Sequence, residues 1–120
     1  ATRAVERVLA LRVPASVEEA PDIRVDAQGR LGELALSAGD PDRALARCDE
    51  SLREAQRESV LVARLHLVRG RALRAQAERA TAASDSVAAA ARRAEALEAL
   101  ERSIEINQRV LARAVGGTGR

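Results

Sequence analysis

The chain offers few side chains that could catalyse or ligate. It has one cysteine, Cys48, one histidine, His66, and no Lys, Tyr, Trp, Phe or Met. A metal centre needs several thiolates, imidazoles or clustered carboxylates, so one Cys and one His predict none. A nucleophilic cysteine needs a base and a cationic setting that depresses its pKa. Arg47 precedes Cys48, but adjacent residues point apart on a helix. Cys48 also falls on an apolar stripe, where a small inert core residue is expected. His66 is expected on a helix surface or in a groove. Asp49-Glu50 reads as ordinary exposed charge. Gly116-Gly117-Thr118-Gly119 lacks the Lys of a phosphate loop and follows a helix instead of preceding one. These residues predict no catalytic site, no cofactor and no enzyme.

The arginines carry more information. All 20 basic residues are Arg, against 18 acidic residues, a net charge of +2. Arg64, Arg71 and Arg74 share one helix face, and Arg69 and Arg79 add charge with only Glu78 opposing. A basic helix can hold phosphates. Against that, no groove-reading motif is present, and a chain without aromatics has no stacking platform for single strands. A nucleic-acid partner is therefore disfavoured. A solvated face or a protein-binding surface is the expectation, since Arg takes a carboxylate bidentately through its planar fork.

The elements that position these residues are helices. Ala supplies 27 residues, and Leu, Arg and Glu follow it as strong helix formers. Breakers and periodicity predict five helices, at about 2–13, 22–38, 41–57, 59–80 and 87–114. Pro14–Pro21 reads as a linker. Gly39-Asp40-Pro41 combines a helix stop, a cap and a first-turn proline. Ser59 is the cap that would separate the third and fourth helices. Thr81–Ser86 reads as a loop. Expected core stripes are Leu31, Leu34, Ala35 and Ala38; Leu45, Cys48, Leu52 and Ala55; Leu61, Leu65, Val68, Ala72 and Ala75; and Leu97, Leu100, Ile104 and Leu111. The length suits one domain, 1–115, with a frayed tail at 116–120. No apolar run approaches the ~18 residues of a membrane span and no signal peptide opens the chain. A cytoplasmic, bacterial piece of a larger protein is expected.

The segments also match each other. Arg43-Ala-Leu-Ala-Arg-Cys-Asp-Glu-Ser-Leu52 aligns with Glu95-Ala-Leu-Glu-Ala-Leu-Glu-Arg-Ser-Ile104, and each follows a helix with an internal glycine, Gly32 or Gly70. Over about residues 25–108 this pattern resembles the tetratricopeptide repeat family. Leu31-Gly32 is similar to that family's Leu-Gly pair, Gly39-Asp40 to its inter-helix turn, and Ala44, Cys48 and Ser51 to its second-helix positions. Gly70, Ala96, Leu100 and Ser103 repeat the match. Departures are the missing aromatics at Ala35, Cys48, Leu73 and Leu100, and the absent closing proline at Gln56 and Gln108. The glycines are 38 residues apart where the family uses about 34. About 14 extra residues fall around Thr81–Arg93.

The resemblance implies an all-α, short helical-hairpin solenoid of about five antiparallel helices. Its first helices would line a concave groove for a peptide or a neighbouring domain. Groove candidates carried over are Asp26, Gly29, Glu33 and Leu36, then Arg64, Leu67, Arg71 and Arg74. The expected partner-binding residues among them are Glu33, Arg64, Leu67, Arg71 and Arg74. A structural or homodimerising bundle, with the 87–114 helix as its seam, is the competing reading.

Overall fold

The computed structural model describes residues 19–55 and 57–118. Within them the chain is all-helical: α1 Glu19–Ser37, α2 Pro41–Glu54, α3 Val60–Ala82 and α4 Ser86–Thr118. The predicted helix 2–13 and Pro14 lie outside the described residues. No described helix is long and apolar enough to cross a membrane.

Local chemistry sets the boundaries. α1 begins three residues before the predicted start, so Pro21 sits in its first turn, where a missing N–H costs nothing. α1 stops in a turn built around Gly39 at φ +79°. There the Asp40 N–H donates to Ala35 O (2.8 Å) and the Gly39 N–H to Leu36 O (3.0 Å). Asp40 then caps α2, accepting from the Arg43 N–H at 3.1 Å. The break between α2 and α3 is real, and Ser59 caps α3 by accepting from the Val62 N–H at 3.2 Å. α2 ends earlier than expected, at Glu54.

The second hairpin turn corrects the predicted loop. α3 continues through Thr81 to Ala82, and α4 starts at Ser86. Between them the first turn is repeated with Ser84 in place of Gly39, at φ +61°. The Asp85 N–H donates to Ala80 O (2.9 Å) and the Ser84 N–H to Thr81 O (3.0 Å), and Asp85 caps α4 by accepting from the Ala88 N–H at 3.0 Å. The 14 additional residues are therefore not loop. Gly32 lies seven residues before its turn glycine and Gly70 fourteen before Ser84; Asp40 lies four before Ala44 and Asp85 eleven before Ala96. Seven residues, about two turns, are added to each arm, and two whole turns leave every face pointing where it did.

Both hairpins close through the same contact. A Cβ on Gly32 would lie 3.4 Å from Cys48 Sγ and 3.8 Å from Ala44 O, with Val68 Cγ1 at 3.1 Å. A Cβ on Gly70 would lie 2.8 Å from Leu100 Cγ and 3.3 Å from Ala96 O. These are the residue pairs the internal alignment matches. In the second hairpin the buried Ser103 Oγ also donates to Ala63 O at 2.7 Å, so its hydroxyl is satisfied inside the helix pair.

α3 is the central helix. It packs on both α1 and α2 and pairs with α4, whereas the α4 backbone approaches neither α1 nor α2. Leu65, Val68, Ala72 and Leu73 of α3 are fully buried, as are Cys48 and Ile106. The α4 stripe expected in the core is elsewhere. Leu97 and Ile104 are each 58% exposed and Leu111 65%, and Leu100 is half-buried against Gly70. α4 buries Ala89, Ala96, Ala99, Ser103 and Ile106 instead. The reason is distance: small residues let two backbones approach until larger side chains fit only at the edges. Ala38 is likewise exposed, beside the turn.

Candidate functional site

Of the five predicted binding residues, Glu33 of α1 and Arg64 of α3 meet where the two helices cross, and Leu67, Arg71 and Arg74 do not. On α3, Arg64 faces α1, and Ala63 and Gly70 face α4. Leu67, Arg71 and Arg74 fall between these directions at helical spacing, on the strip of α3 that neither neighbour covers. Leu67 is half-buried, and Arg71 and Arg74 are exposed.

Arg64 and Glu33 are brought together, but into a clamp. The Arg64 Nε donates to Glu33 Oε1 at 2.8 Å and its Nη2 to Oε2 at 2.9 Å, a bidentate pair across the two helices. Its Nη1 donates to Asp26 Oδ1 at 3.1 Å. The hydrogen bond from Arg64 holds the Glu33 carboxyl below the usual Glu range and pushes the Arg64 guanidinium further up. Both forks are occupied, so this pair joins α1 to α3 and leaves little for a ligand. The Arg64 stem covers Gly29, whose Cβ position lies 3.8 Å from Arg64 Cδ.

The other arginines divide in the same way. Arg69 Nε donates to Asp49 Oδ1 of α2 at 2.8 Å. Arg79 bonds Asp42 of α2, which also accepts from Gln76 Nε2 at 2.7 Å; these bonds, Gln76 first, keep the Asp42 carboxyl low. Arg74 reaches Glu78 on its own helix at 3.6 Å, with both side chains exposed. Arg71 has no carboxylate within ion-pair distance among the described residues. Arg64, Arg69 and Arg79 of α3 are thus paired with carboxylates of α1 and α2, and Arg71 and Arg74 stand at its outer edge.

Cys48 is fully buried, and burial pushes its thiol up to about 12. A thiol so raised is protonated at neutral pH and a poor nucleophile. His66 sits in an open cleft of about 390 Å³ on the opposite side of α3, lined among others by Leu52, Glu58, Arg102 and Ile106. Burial, then the charges of Arg102 and Arg69, lower its pKa. Glu58, at the mouth of that cleft, accepts from Arg109 at 2.9 and 2.6 Å and from Arg113 at 3.0 Å, tying the end of α4 to the start of α3. Among the described residues no three His, Cys, Asp or Glu side chains gather where they could hold a metal.

Sequence reasoning put Leu97, Ile104 and Leu111 in the core and gave the 87–114 helix an outward face only in the competing seam reading; at seven-residue spacing on α4 they form an exposed apolar stripe. Leu100 leans from α4 onto Gly70 of α3, placing the stripe's edge beside Leu67 and Arg74. The signal was there in the second, all-small face at Ala89, Ala96, Ala99 and Ser103, aligned with a helix glycine. Comparison with known proteins finds no matching family model, no similar curated protein and no similar solved structure, so the functional reading rests on this chain's own geometry.

Proposed function

We propose that the chain is a non-catalytic protein-interaction module. It is read as a short solenoid of helical hairpins, similar in plan to tetratricopeptide repeats. Its ligand is a peptide or a neighbouring protein domain, and its setting the cytoplasm. The observation that carries this reading is the repeated hairpin with one uncovered edge. The same turn and the same glycine contact occur twice, and α4 stays clear of α1, as stacked hairpins require and a closed four-helix ring does not. The binding residues are Leu67, Arg71 and Arg74, with Glu33 and Arg64 fixing the angle between α1 and α3 on which that strip depends.

The test is capture of partners by the parent protein with Arg71→Glu and Arg74→Glu. Loss of a partner at unchanged helicity and unchanged mass supports the surface; an unaltered set of partners overturns it. The exposed α4 stripe favours a second reading, a homodimer with α4 as its seam. Sedimentation equilibrium separates them: a dimer that dissociates on Leu97→Asp and Ile104→Asp would put the seam first.

A further inference from the structure

The repeated geometry says what fits the uncovered edge. In the first hairpin, α3 lies in the trough between α1 and α2. It meets the half-buried Leu45, Leu52 and Leu36, and its arginines answer the acids on the trough walls: Arg64 to Glu33 and Asp26, Arg69 to Asp49. The glycine match aligns Glu33 with Arg71 and Asp26 with Arg64. The second-helix match aligns Leu45, Asp49 and Leu52 with Leu97, Glu101 and Ile104. α3 and α4 therefore form a similar trough whose two α4 rungs are uncovered: Leu97 and Ile104 are 58% exposed where Leu45 and Leu52 are half-buried, and on the α3 wall Arg74 stands where Leu36 stood. One wall has changed sign, because Arg71 stands where Glu33 stood, and the other has kept it, because Glu101 stands where Asp49 stood.

We infer that the α3–α4 trough seats an amphipathic helix of a partner protein, lying as α3 lies on α1 and α2. Where α3 carries Arg64, that helix carries a carboxylate, which meets Arg71. Where α3 carries Arg69, it keeps a base, which meets Glu101. Charge complementarity excludes a plain copy of α3, since a guanidinium at the Arg64 position would face Arg71. A separate polypeptide fits better than a direct return of this one. The residue equivalent to Glu54, where α2 ends, is Ile106, and α4 runs on to Thr118. A helix turning back there would start about 18 Å past the corresponding point.

The inference rests on the interaction-module reading and names the partner of the same strip. Its test uses the whole chain and two labelled peptides. One has the sequence Val60–Ala82 with Arg64→Glu; the other is the unchanged sequence. Fluorescence anisotropy should show the Glu peptide binding at least ~10-fold more tightly than the Arg peptide, the fold expected from about 1.4 kcal/mol of charge discrimination. Ile104→Asp should abolish binding of both, and Arg71→Glu should reverse their order, each at unchanged circular dichroism. The inference is overturned if neither peptide binds, if binding survives Ile104→Asp, if the two bind equally, or if the free chain is a dimer that loses its mass on Ile104→Asp. Partner capture that needs Arg71 but not Ile104 would leave the interaction strip standing and remove the seated helix.

Discussion

Gly70 is the residue whose substitution has the clearest expected outcome, because two effects of known sign compete there. Alanine would gain roughly 1 kcal/mol of helix propensity. Its Cβ would meet Leu100 Cδ2 and Cγ, each at 2.8 Å, and the Ala96 carbonyl at 3.3 Å, so both the branch point of Leu100 and the α4 backbone stand in its way as well as a methyl end. Overpacking of this kind costs about 1–3 kcal/mol, so Gly70→Ala should destabilise. Gly32→Ala should cost less, since its nearest neighbour is a Val68 methyl group at 3.1 Å. Denaturant melts followed by circular dichroism give both, and in a Leu100→Ala background the Gly70→Ala penalty should shrink. An additive pair would mean that Leu100 is not what Gly70 accommodates. Glu33 makes a second residue-level prediction, in pH. Its folded pKa lies below the ordinary value of 4.5, so the folded chain binds the proton less readily than the unfolded one. The clamp's contribution is complete above about pH 4.5 and is lost as pH falls through the folded value. Glu33→Gln should lower stability at pH 7 and flatten its dependence on pH below 4.5. An acid limb as steep as that of the wild type would show that the Arg64 pair contributes nothing.

At the scale of the element, the caps decide. Most of the fold was legible here: Gly39-Asp40-Pro41 and Ser59 are short-range signals with one physical meaning each, and the structure uses both as their chemistry requires. The second turn was not legible as a turn. Its αL position holds Ser84 rather than Gly, so the pattern that marks the first hairpin is masked, and the two turns added to each arm look like an insertion. The α4 face was misjudged for a related reason. Periodicity favours the larger side chains, Leu97, Ile104 and Leu111, whereas a glycine-lined partner selects the smaller set on the other side. That Leu67, Arg71 and Arg74 share one strip of α3 was legible because it depends on spacing alone; that Arg64 and Glu33 would spend themselves on each other depends on how α1 crosses α3, which spacing does not contain. Ser84 carries the matching prediction. A non-glycine residue at positive φ is strained by roughly 1–2 kcal/mol, offset in part by the greater backbone entropy of glycine in the unfolded chain. Ser84→Gly should therefore stabilise by about 0.5–1 kcal/mol, whereas Ser59→Ala should cost about 0.5–2 kcal/mol through the lost cap. A destabilised Ser84→Gly protein would place the αL residue elsewhere in the turn.

Across the whole molecule, stability is concentrated in one helix. No aromatic side chain contributes to the core, so the largest units of buried area, ~150–250 Å² each, are absent. What is buried gathers along α3, which alone among the described helices has three neighbours. α2 borders α1 and α3, and the α4 backbone approaches that of α3 alone. Beyond Val110, α4 is exposed on every side through Gly116 and is tied down near its end by the Arg113–Glu58 bond. Local opening follows the density of buried contacts. Native-state hydrogen exchange should therefore find its slowest amides in α3 between Ala63 and Leu73, an intermediate group in α1 and α2, and fast exchange in α4 after Val110. The gradient also bears on function. A helix seated between α3 and α4 would give α4 the second neighbour that α2 already has, so the peptide with Arg64→Glu should slow exchange over Leu97–Ile104 more than anywhere in α1 or α2. Protection that rose evenly along the chain would instead report a global gain in stability, with the peptide bound somewhere other than the α3–α4 trough.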